Sequence, residues 1–171
     1  LGIEVYADRP RSAWRRIGRE LMMATDPLDA AGIVASAGGE PWTGMPAGTT
    51  MGHVHLHVGD LARAANFYSD TLGFDRTVWE YPGALFLSAG GYHHHLGTNT
   101  WAGSGATAPT TDEARLLQWT IQLPDAASVA AVATDLAAGG FASDRGEAAG
   151  RSFVSTRDPW GTPLRIEAAT R

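Results

Sequence analysis

The chain has 171 residues, a mass of 18.0 kDa and a formal net charge of −5, from 13 Lys and Arg against 18 Asp and Glu. This length can bury one hydrophobic core, and the mildly acidic balance argues against nucleic acid or an anionic membrane as a main partner. The chain contains no cysteine, which excludes disulfides and thiolate chemistry and fits a cytoplasmic location. No apolar run approaches the ~20 residues that cross a bilayer, and we expect no signal peptide.

The first fifty residues predict short elements followed by a linker. We predict a strand at Leu1–Ala7 and a polar helix at Asp8–Leu21. A short capped helix at Asp26–Ala35 and a linker rich in Gly, Pro and Thr at Ser36–Thr50 follow. The composition changes at the end of the linker. We therefore place a domain boundary there, with residues 1–50 on one side and a domain of residues 51–171 on the other.

Histidines alternate with aliphatic residues in the stretch Met51–Val58. His53, His55 and His57 are spaced by two, so a strand in this region carries imidazoles on one face and aliphatic side chains on the other. A second cluster follows at His93–His95, and the two clusters contain all six histidines of the chain. Because imidazole binds metals and transfers protons near neutral pH, this pattern predicts a metal site or a proton-handling site.

From residue 51 the chain contains two copies of one pattern, in which a strand and a helix precede three further strands. The first copy is predicted at 51–58, 60–72, 76–81, 84–89 and 92–100, and the second at 116–123, 125–138, 141–144, 151–156 and 163–168. His53 and Gln118 each lie seven residues before a helix-capping aspartate. His95 and Arg165 each lie four residues after a turn glycine. The sequence therefore predicts an α+β domain of two paired β-α-β-β-β units.

Three motifs carry a resemblance to a known family. They are H-V-H-L-H-V-G-D-L at 53–61, N-F-Y-S-D-T-L-G-F at 66–74 and D-P-W-G at 158–161. Together they resemble the vicinal oxygen chelate superfamily of glyoxalases, extradiol dioxygenases and bleomycin-resistance proteins. Segments 2–10, 52–58 and 89–97 further resemble its two-domain, catechol 2,3-dioxygenase-like branch.

The resemblance implies a fold and a domain organisation. Eight strands of the two units would form a half-open, barrel-like sheet around a cavity that holds a metal ion. Residues 1–50 would be the remnant of an upstream unit, and the chain would be the C-terminal half of a four-unit protein. We also expect a homodimer, because a strand at Leu1–Ala7 would otherwise have unpaired edges.

The resemblance also implies roles for individual residues. His53, Glu4 and His95 match metal-ligand positions, and two histidines with a carboxylate would leave Fe(II) or Mn(II) open to substrate and O₂. The candidates for catalytic proton transfer are the histidines His55, His57 and His93. For each histidine the alternative is a hydrogen-bonded side chain without chemistry, and for Glu4 it is a solvated charge.

Arg165 departs from the family pattern, because a guanidinium is never deprotonated and cannot bind a metal. We expect it to pair with Glu167, two residues further on and on the same face of the strand.

Three functional hypotheses follow. The first is a metal-dependent extradiol dioxygenase that cleaves a small catechol-like aromatic with O₂. The second is a glyoxalase-like isomerase or lyase that uses His53, His95 and Gln118 together with a further ligand. The third is a non-catalytic module that binds a small molecule, with Arg165 replacing the metal charge. Metal content separates them, since iron or manganese favours the first, zinc or nickel the second, and no metal the third.

Overall fold

The computed structural model describes residues 2–24 and 26–170. Within these ranges the elements are, in chain order, β1 (Arg16–Ile17), β2 (Glu20–Leu21), α1 (Ala30–Ser36), β3 (Val54–His57), α2 (Leu61–Ala65), a π-helical continuation of α2 (Asn66–Thr71), β4 (Asp75–Val78), β5 (Ala84–Ser88), β6 (Leu96–Asn99), β7 (Trp119–Leu123), α3 (Ala126–Ala138), β8 (Ser143–Ala148), β9 (Arg151–Arg157) and β10 (Pro163–Ala168).

The strands from β3 onwards form two four-stranded sheets with equivalent strand orders, β3-β6-β5-β4 and β7-β10-β9-β8. In each sheet the first and last strands of the unit are parallel neighbours, and the remaining pairs are antiparallel. The prediction of an α+β domain with two β-α-β-β-β units is confirmed. The eight strands are divided equally between the two sheets.

Each unit begins its helix in the same way. The carboxylate of Asp60 accepts a hydrogen bond from the Arg63 N–H at 2.7 Å, and that of Asp125 accepts one from the Ser128 N–H at 2.8 Å. Such caps satisfy amide groups that have no partner inside the helix. Both predicted caps are therefore present, and they fix the point at which each chain segment turns from the first strand into the helix.

The helices of both units share one hydrophobic core with the inward faces of the sheets. Phe67 of α2's continuation packs edge-to-face on Phe141 of the second unit, with ring centroids 4.8 Å apart. Beside it, the buried Tyr68 hydroxyl donates to Asp158 at 2.7 Å. Burial and the neighbouring carboxylate raise the pKa of Tyr68 well above its usual value, so the phenol remains a neutral donor. These two contacts join the units.

Replacement of Tyr68 tests the hydrogen bond to Asp158 that joins the two units. We expect Tyr68→Phe to lower the free energy of unfolding by about 1.5–3 kcal/mol, because the buried Asp158 carboxylate loses one of its donors. Tyr92→Phe is the matched control, since the Tyr92 hydroxyl donates to the more exposed Asp8. Urea unfolding followed by circular dichroism measures both. Equal losses in the two variants would contradict a structural role for the Tyr68–Asp158 bond.

The N-terminal region differs from its prediction. Residues 2–7 form no strand in the structure, and Leu1 lies outside the described residues. Arg11–Ala13 form a single 3₁₀ turn, and the short hairpin β1–β2 replaces the predicted polar helix of Asp8–Leu21. The short capped helix is present as α1. Assignment of residues 1–50 to an upstream unit stays a prediction. Among the described residues, no helix is long and apolar enough to cross a membrane.

Residues 2–8 nevertheless keep the alternation of an extended chain. Ile3 and Val5 are exposed. Glu4, Tyr6 and Asp8 all make side-chain hydrogen bonds to the histidine clusters or to Tyr92 beside them. The segment therefore lies against the region that holds the histidines, and it is held there by side chains and not by a strand ladder.

Candidate metal centre

Three imidazoles from two distant parts of the chain converge in the first unit. His53 immediately precedes β3, His55 lies within β3, and His94 lies in the turn before β6. One ring nitrogen of each lies within 4.8 Å of the others. His55 Nε2 lies 3.1 Å from His94 Nε2, and the ring centroids of His53 and His94 are 4.5 Å apart. We call these three residues the histidine cluster.

A glycine on the neighbouring strand makes room for one of these rings. His55 on β3 is paired with Gly97 on β6. A Cβ atom at residue 97 would lie 2.8–3.0 Å from three atoms of the His55 ring, which is closer than side chains approach. The His55 ring therefore lies directly over the β6 backbone, in space that the side chain of a larger residue at position 97 would occupy.

Gly97→Ala is expected to displace the His55 ring and to weaken divalent metal binding by about tenfold, with a small effect on stability because the imidazole can rotate towards solvent. Gly2→Ala is the control, since a methyl group there meets nothing within 4 Å. Titration of the metal-free protein with Fe(II) or Mn(II) measures the affinity. An unchanged affinity in Gly97→Ala would show that His55 contributes no ligand.

The N-terminal segment supplies a carboxylate and a phenol to the cluster. Glu4 Oε2 lies 2.9 Å from His53 Nε2, and the Tyr6 hydroxyl lies 2.8 Å from His53 Nδ1. The Tyr6 ring also stacks on His53, with centroids 5.3 Å apart. Since a carboxylate only accepts hydrogen bonds, His53 carries its proton on Nε2 when it donates to Glu4, and Nδ1 then accepts from Tyr6.

A second carboxylate orients the histidine cluster through an intervening ring. Asp8 Oδ1 lies 3.1 Å from His93 Nε2, and His93 Nδ1 lies 2.9 Å from His94 Nδ1. With Asp8 as the acceptor, neutral His93 has its proton on Nε2, and its Nδ1 accepts from His94 Nδ1–H. The lone pair of His94 is then on Nε2, the nitrogen that faces His55. Carboxylates orient metal-binding histidines in this manner.

The environment favours the neutral form of two of these rings, His94 and His55. Burial, followed by the nearby His53, His93, His55 and His95, lowers the pKa of His94 to about 3. Burial and His53 also lower the pKa of His55, although Glu4 opposes that change. Phe86 packs against both rings, with centroids 5.0 Å from His94 and 6.2 Å from His55. Only the neutral ring has a lone pair to give, so this environment prepares the cluster for a cation.

The donor set fits a divalent transition metal. Three imidazoles suit zinc, iron, copper and nickel, and an adjoining carboxylate extends the set towards iron and manganese. The residues needed for either combination lie together here, since Glu4 adjoins His53 in the histidine cluster. The cluster could therefore hold a metal ion.

Some of the site residues predicted from the sequence lie near the histidine cluster and others do not. Glu4, His53, His55 and His93 lie in or against the histidine cluster. His57 is exposed on β3, and among the described residues no hydrogen bond joins it to the other rings. Arg165 donates from Nε to Glu167 Oε2 at 2.8 Å, as predicted.

Strand alternation predicts His95 beside the other ligand candidates and His94 on the opposite face, whereas the structure has the reverse arrangement. His95 Nδ1 accepts a hydrogen bond from the Ala89 N–H at 3.1 Å, and its ring packs on Tyr92 at 4.7 Å, so it lies outside the histidine cluster. In a strand over residues 92–100, His94 would lie on the face opposite His95, but it lies inside the histidine cluster. The reason is that β6 begins only at Leu96. The three preceding histidines belong to a turn, where period-two alternation does not hold.

The register of the sheets also corrects the alignment of the two units. Val54 pairs with Leu96 in the first sheet, and Trp119 pairs with Leu164 in the second. Arg165 is therefore equivalent to Gly97 and not to His95. The glycine turns that suggested the other alignment differ in length between the units.

Comparisons with known proteins agree with this fold. A family model described as the Glyoxalase/Bleomycin resistance protein/Dioxygenase superfamily matches residues 50–166. A Bacillus subtilis (strain 168) protein named catechol-2,3-dioxygenase is 46% identical over 150 residues, which are 85% of this chain and 52% of the relative. The chain thus spans about half the length of this curated relative.

Solved structures show the same fold at low identity. A glyoxalase/dioxygenase from Nostoc punctiforme is 15% identical with a TM-score of 0.60, and the match covers 77% of this chain and all of that one (100%). A lactoylglutathione lyase from Agrobacterium tumefaciens is 20% identical with a TM-score of 0.56, over 73% of this chain and 96% of that one.

Proposed function

This chain belongs to the glyoxalase/bleomycin resistance protein/dioxygenase superfamily, and we propose that it provides a metal-dependent, catechol 2,3-dioxygenase-like site that cleaves the ring of a small aromatic diol with O₂. The observation that carries the proposal is the histidine cluster with Glu4 hydrogen-bonded to His53. The name of the Bacillus relative supports the reaction class, and its 46% identity extends over most of this chain.

The proposed ligands differ in part from those predicted by the sequence. We assign His53, His55 and His94 to the ion, with Glu4 in position to join them or to replace one imidazole. Fe(II) or Mn(II) is the proposed metal, because a set of histidines with one carboxylate is the set that leaves positions open on these ions. When bound, such an ion would bring the two adjacent oxygens of a diol and O₂ together.

Proton transfer is assigned to His93. Its Nε2 lies 3.1 Å from Asp8 and its Nδ1 lies 2.9 Å from His94, so it adjoins the histidine cluster. Asp8 stabilises a proton on the outer nitrogen and also accepts from the Tyr92 hydroxyl at 2.7 Å. With Nε2–H held by Asp8, His93 would take a proton from a substrate hydroxyl on Nδ1, after the hydrogen bond from His94 to that nitrogen opens, and would return it later. A catalytic role for His57 stays a prediction from the sequence, as does a homodimer.

Metal analysis and oxygen uptake test the proposal together. The 171-residue chain is purified without chelators, its metals are quantified, and O₂ consumption is followed with catechol as substrate. We expect one iron or manganese ion per chain and oxygen uptake that stops when a chelator is added. Stoichiometric zinc or nickel without oxygen uptake would favour an isomerase or lyase. Failure of the metal-free protein to bind Fe(II) or Mn(II) would rule out the proposed site.

A further inference from the structure

The second sheet carries a charged group where the first carries the histidine cluster. Arg165 on β10 is paired with Thr120 on β7 and with Ser155 on β9, so these side chains share one face of the sheet. The equivalent positions of Thr120 and Arg165 in the first unit are His55 and Gly97. The second unit thus replaces a metal-binding side chain and a glycine with a hydroxyl and a guanidinium.

The guanidinium is held in a defined position. Its Nε donates to Glu167 Oε2 at 2.8 Å, and its carbon lies 3.6 Å from the centroid of the Phe153 ring. The Phe153 ring in turn lies over Gly146 of β8, where a Cβ atom would come within 2.7 Å of it. The Arg165 side chain is only 20% exposed. Stacking on one side and a hydrogen bond at Nε therefore fix the direction of the remaining N–H groups.

One carboxylate serves two arginines. Glu167, which is 8% exposed, accepts from Arg165 and also from Arg151 Nη1 at 2.5 Å. The hydrogen bond from Arg165 holds the pKa of Glu167 below its usual value, so Glu167 is ionised at neutral pH. Two guanidinium groups and one carboxylate carry a net charge of +1. A half-buried excess cation of this kind favours an anion beside it.

The terminal amino groups of Arg165 are available for that anion. Within the described part of the chain, no hydrogen bond joins these two groups to an acceptor. A planar guanidinium edge matches the two oxygens of a carboxylate. The hydroxyls of Thr120 and Ser155 lie on the two neighbouring strands at the same level and can add donors.

We propose that this face of the second sheet, centred on Arg165 with Phe153, Thr120 and Ser155, binds the carboxylate of a small organic monoanion. The site lies on a different sheet from the histidine cluster and requires no metal. Asp144 shares the face, since it pairs with Ser155. It lies one strand further away, about 10 Å from the strand of Arg165, where an exposed charge is largely screened by salt.

Titration of the chelator-treated chain with benzoate tests the proposal. Nε–H signals of arginine in a ¹H–¹⁵N NMR spectrum report binding directly. We expect a saturable shift of the Arg165 signal at benzoate concentrations up to about 10 mM. Benzamide, which has the same shape without the charge, should cause none. Inorganic phosphate shows whether any oxyanion suffices, and binding tighter than benzoate would overturn the choice of a carboxylate.

Variants locate the binding. Arg165→Gln should weaken benzoate binding about tenfold or more, as the loss of a charged hydrogen-bonding partner does. Arg165→Lys should recover part of it. Arg145→Gln is the control, because Arg145 is exposed on β8 and pairs with Val154 on the opposite face. Thermal unfolding confirms that each variant is folded. Equal benzoate binding in Arg165→Gln and the original chain, or no shift of the Arg165 signal, would overturn the proposal.

Discussion

Replacement of His94 by alanine is expected to reduce divalent metal affinity by about 100-fold or more and to abolish metal-dependent oxygen uptake. The loss of a direct ligand should exceed the roughly 10–100-fold effect of losing an outer hydrogen-bonding partner. His94 is also the least exposed member of the histidine cluster, so its loss leaves a gap in the most buried part of the site. Titration with Fe(II) or Mn(II) under anaerobic conditions measures the affinity.

Two neighbouring histidines provide matched controls. His57→Ala changes an exposed ring on the same strand as His55, and metal affinity should stay the same. His95→Ala removes the acceptor of the Ala89 N–H and should lower stability modestly while leaving metal affinity intact. The opposite pattern, with metal binding lost in His95→Ala and kept in His94→Ala, would support the ligand set implied by the family resemblance and contradict the ligands proposed from the structure.

The second large effect is on stability at mildly acidic pH. The pKa of His94 is about 3 in the folded chain, against 6.5 for an ordinary histidine. Between these values the unfolded chain binds a proton at His94 that the folded chain does not bind. Stability therefore falls as the pH falls through this window. For His94 alone the slope approaches about 1.4 kcal/mol per pH unit, and the lowered pKa values of His55 and His95 act in the same direction.

Urea unfolding of the metal-free chain at pH 7 and pH 5 measures this effect. We expect a loss of roughly 2 kcal/mol from His94 over that range. The range lies above the usual pKa of Glu167, 4.5, so the Arg165–Glu167 pair stays ionised throughout. His94→Gln should be less dependent on pH, whereas His57→Gln should behave like the original chain. An unchanged slope in His94→Gln would show that the buried ring is not the source.

Local sequence patterns determined the elements of this fold. Alternation placed the aliphatic side chains Leu56 and Val58 of the first strand region in the core, and both are buried. Aspartates before each helix determined where the helices begin. The internal repeat predicted two β-α-β-β-β units, and the structure contains both, each with a four-stranded sheet of its own. These features depend on residues close in sequence, where backbone geometry and burial act directly.

The composition of the site was decided by tertiary structure. A turn that runs up to Leu96 puts His94 into the histidine cluster and His95 outside it, and no periodicity reports where a strand ladder starts. The hydrogen bond between Glu4 and His53 joins residues 49 apart, so the return of the N-terminal segment depends on side-chain contacts that a local pattern does not encode.

The register of the two sheets decided which residue of the first unit is equivalent to Arg165. Counting from turn glycines matched Arg165 to His95, whereas cross-strand pairing matches it to Gly97. The sequence by itself thus determined the family pattern, the two units and the presence of six histidines in two runs. Only the folded chain decided which rings meet and which position of the second unit carries a guanidinium, because ligand geometry depends on where the strands pair and not on how far apart residues lie in sequence.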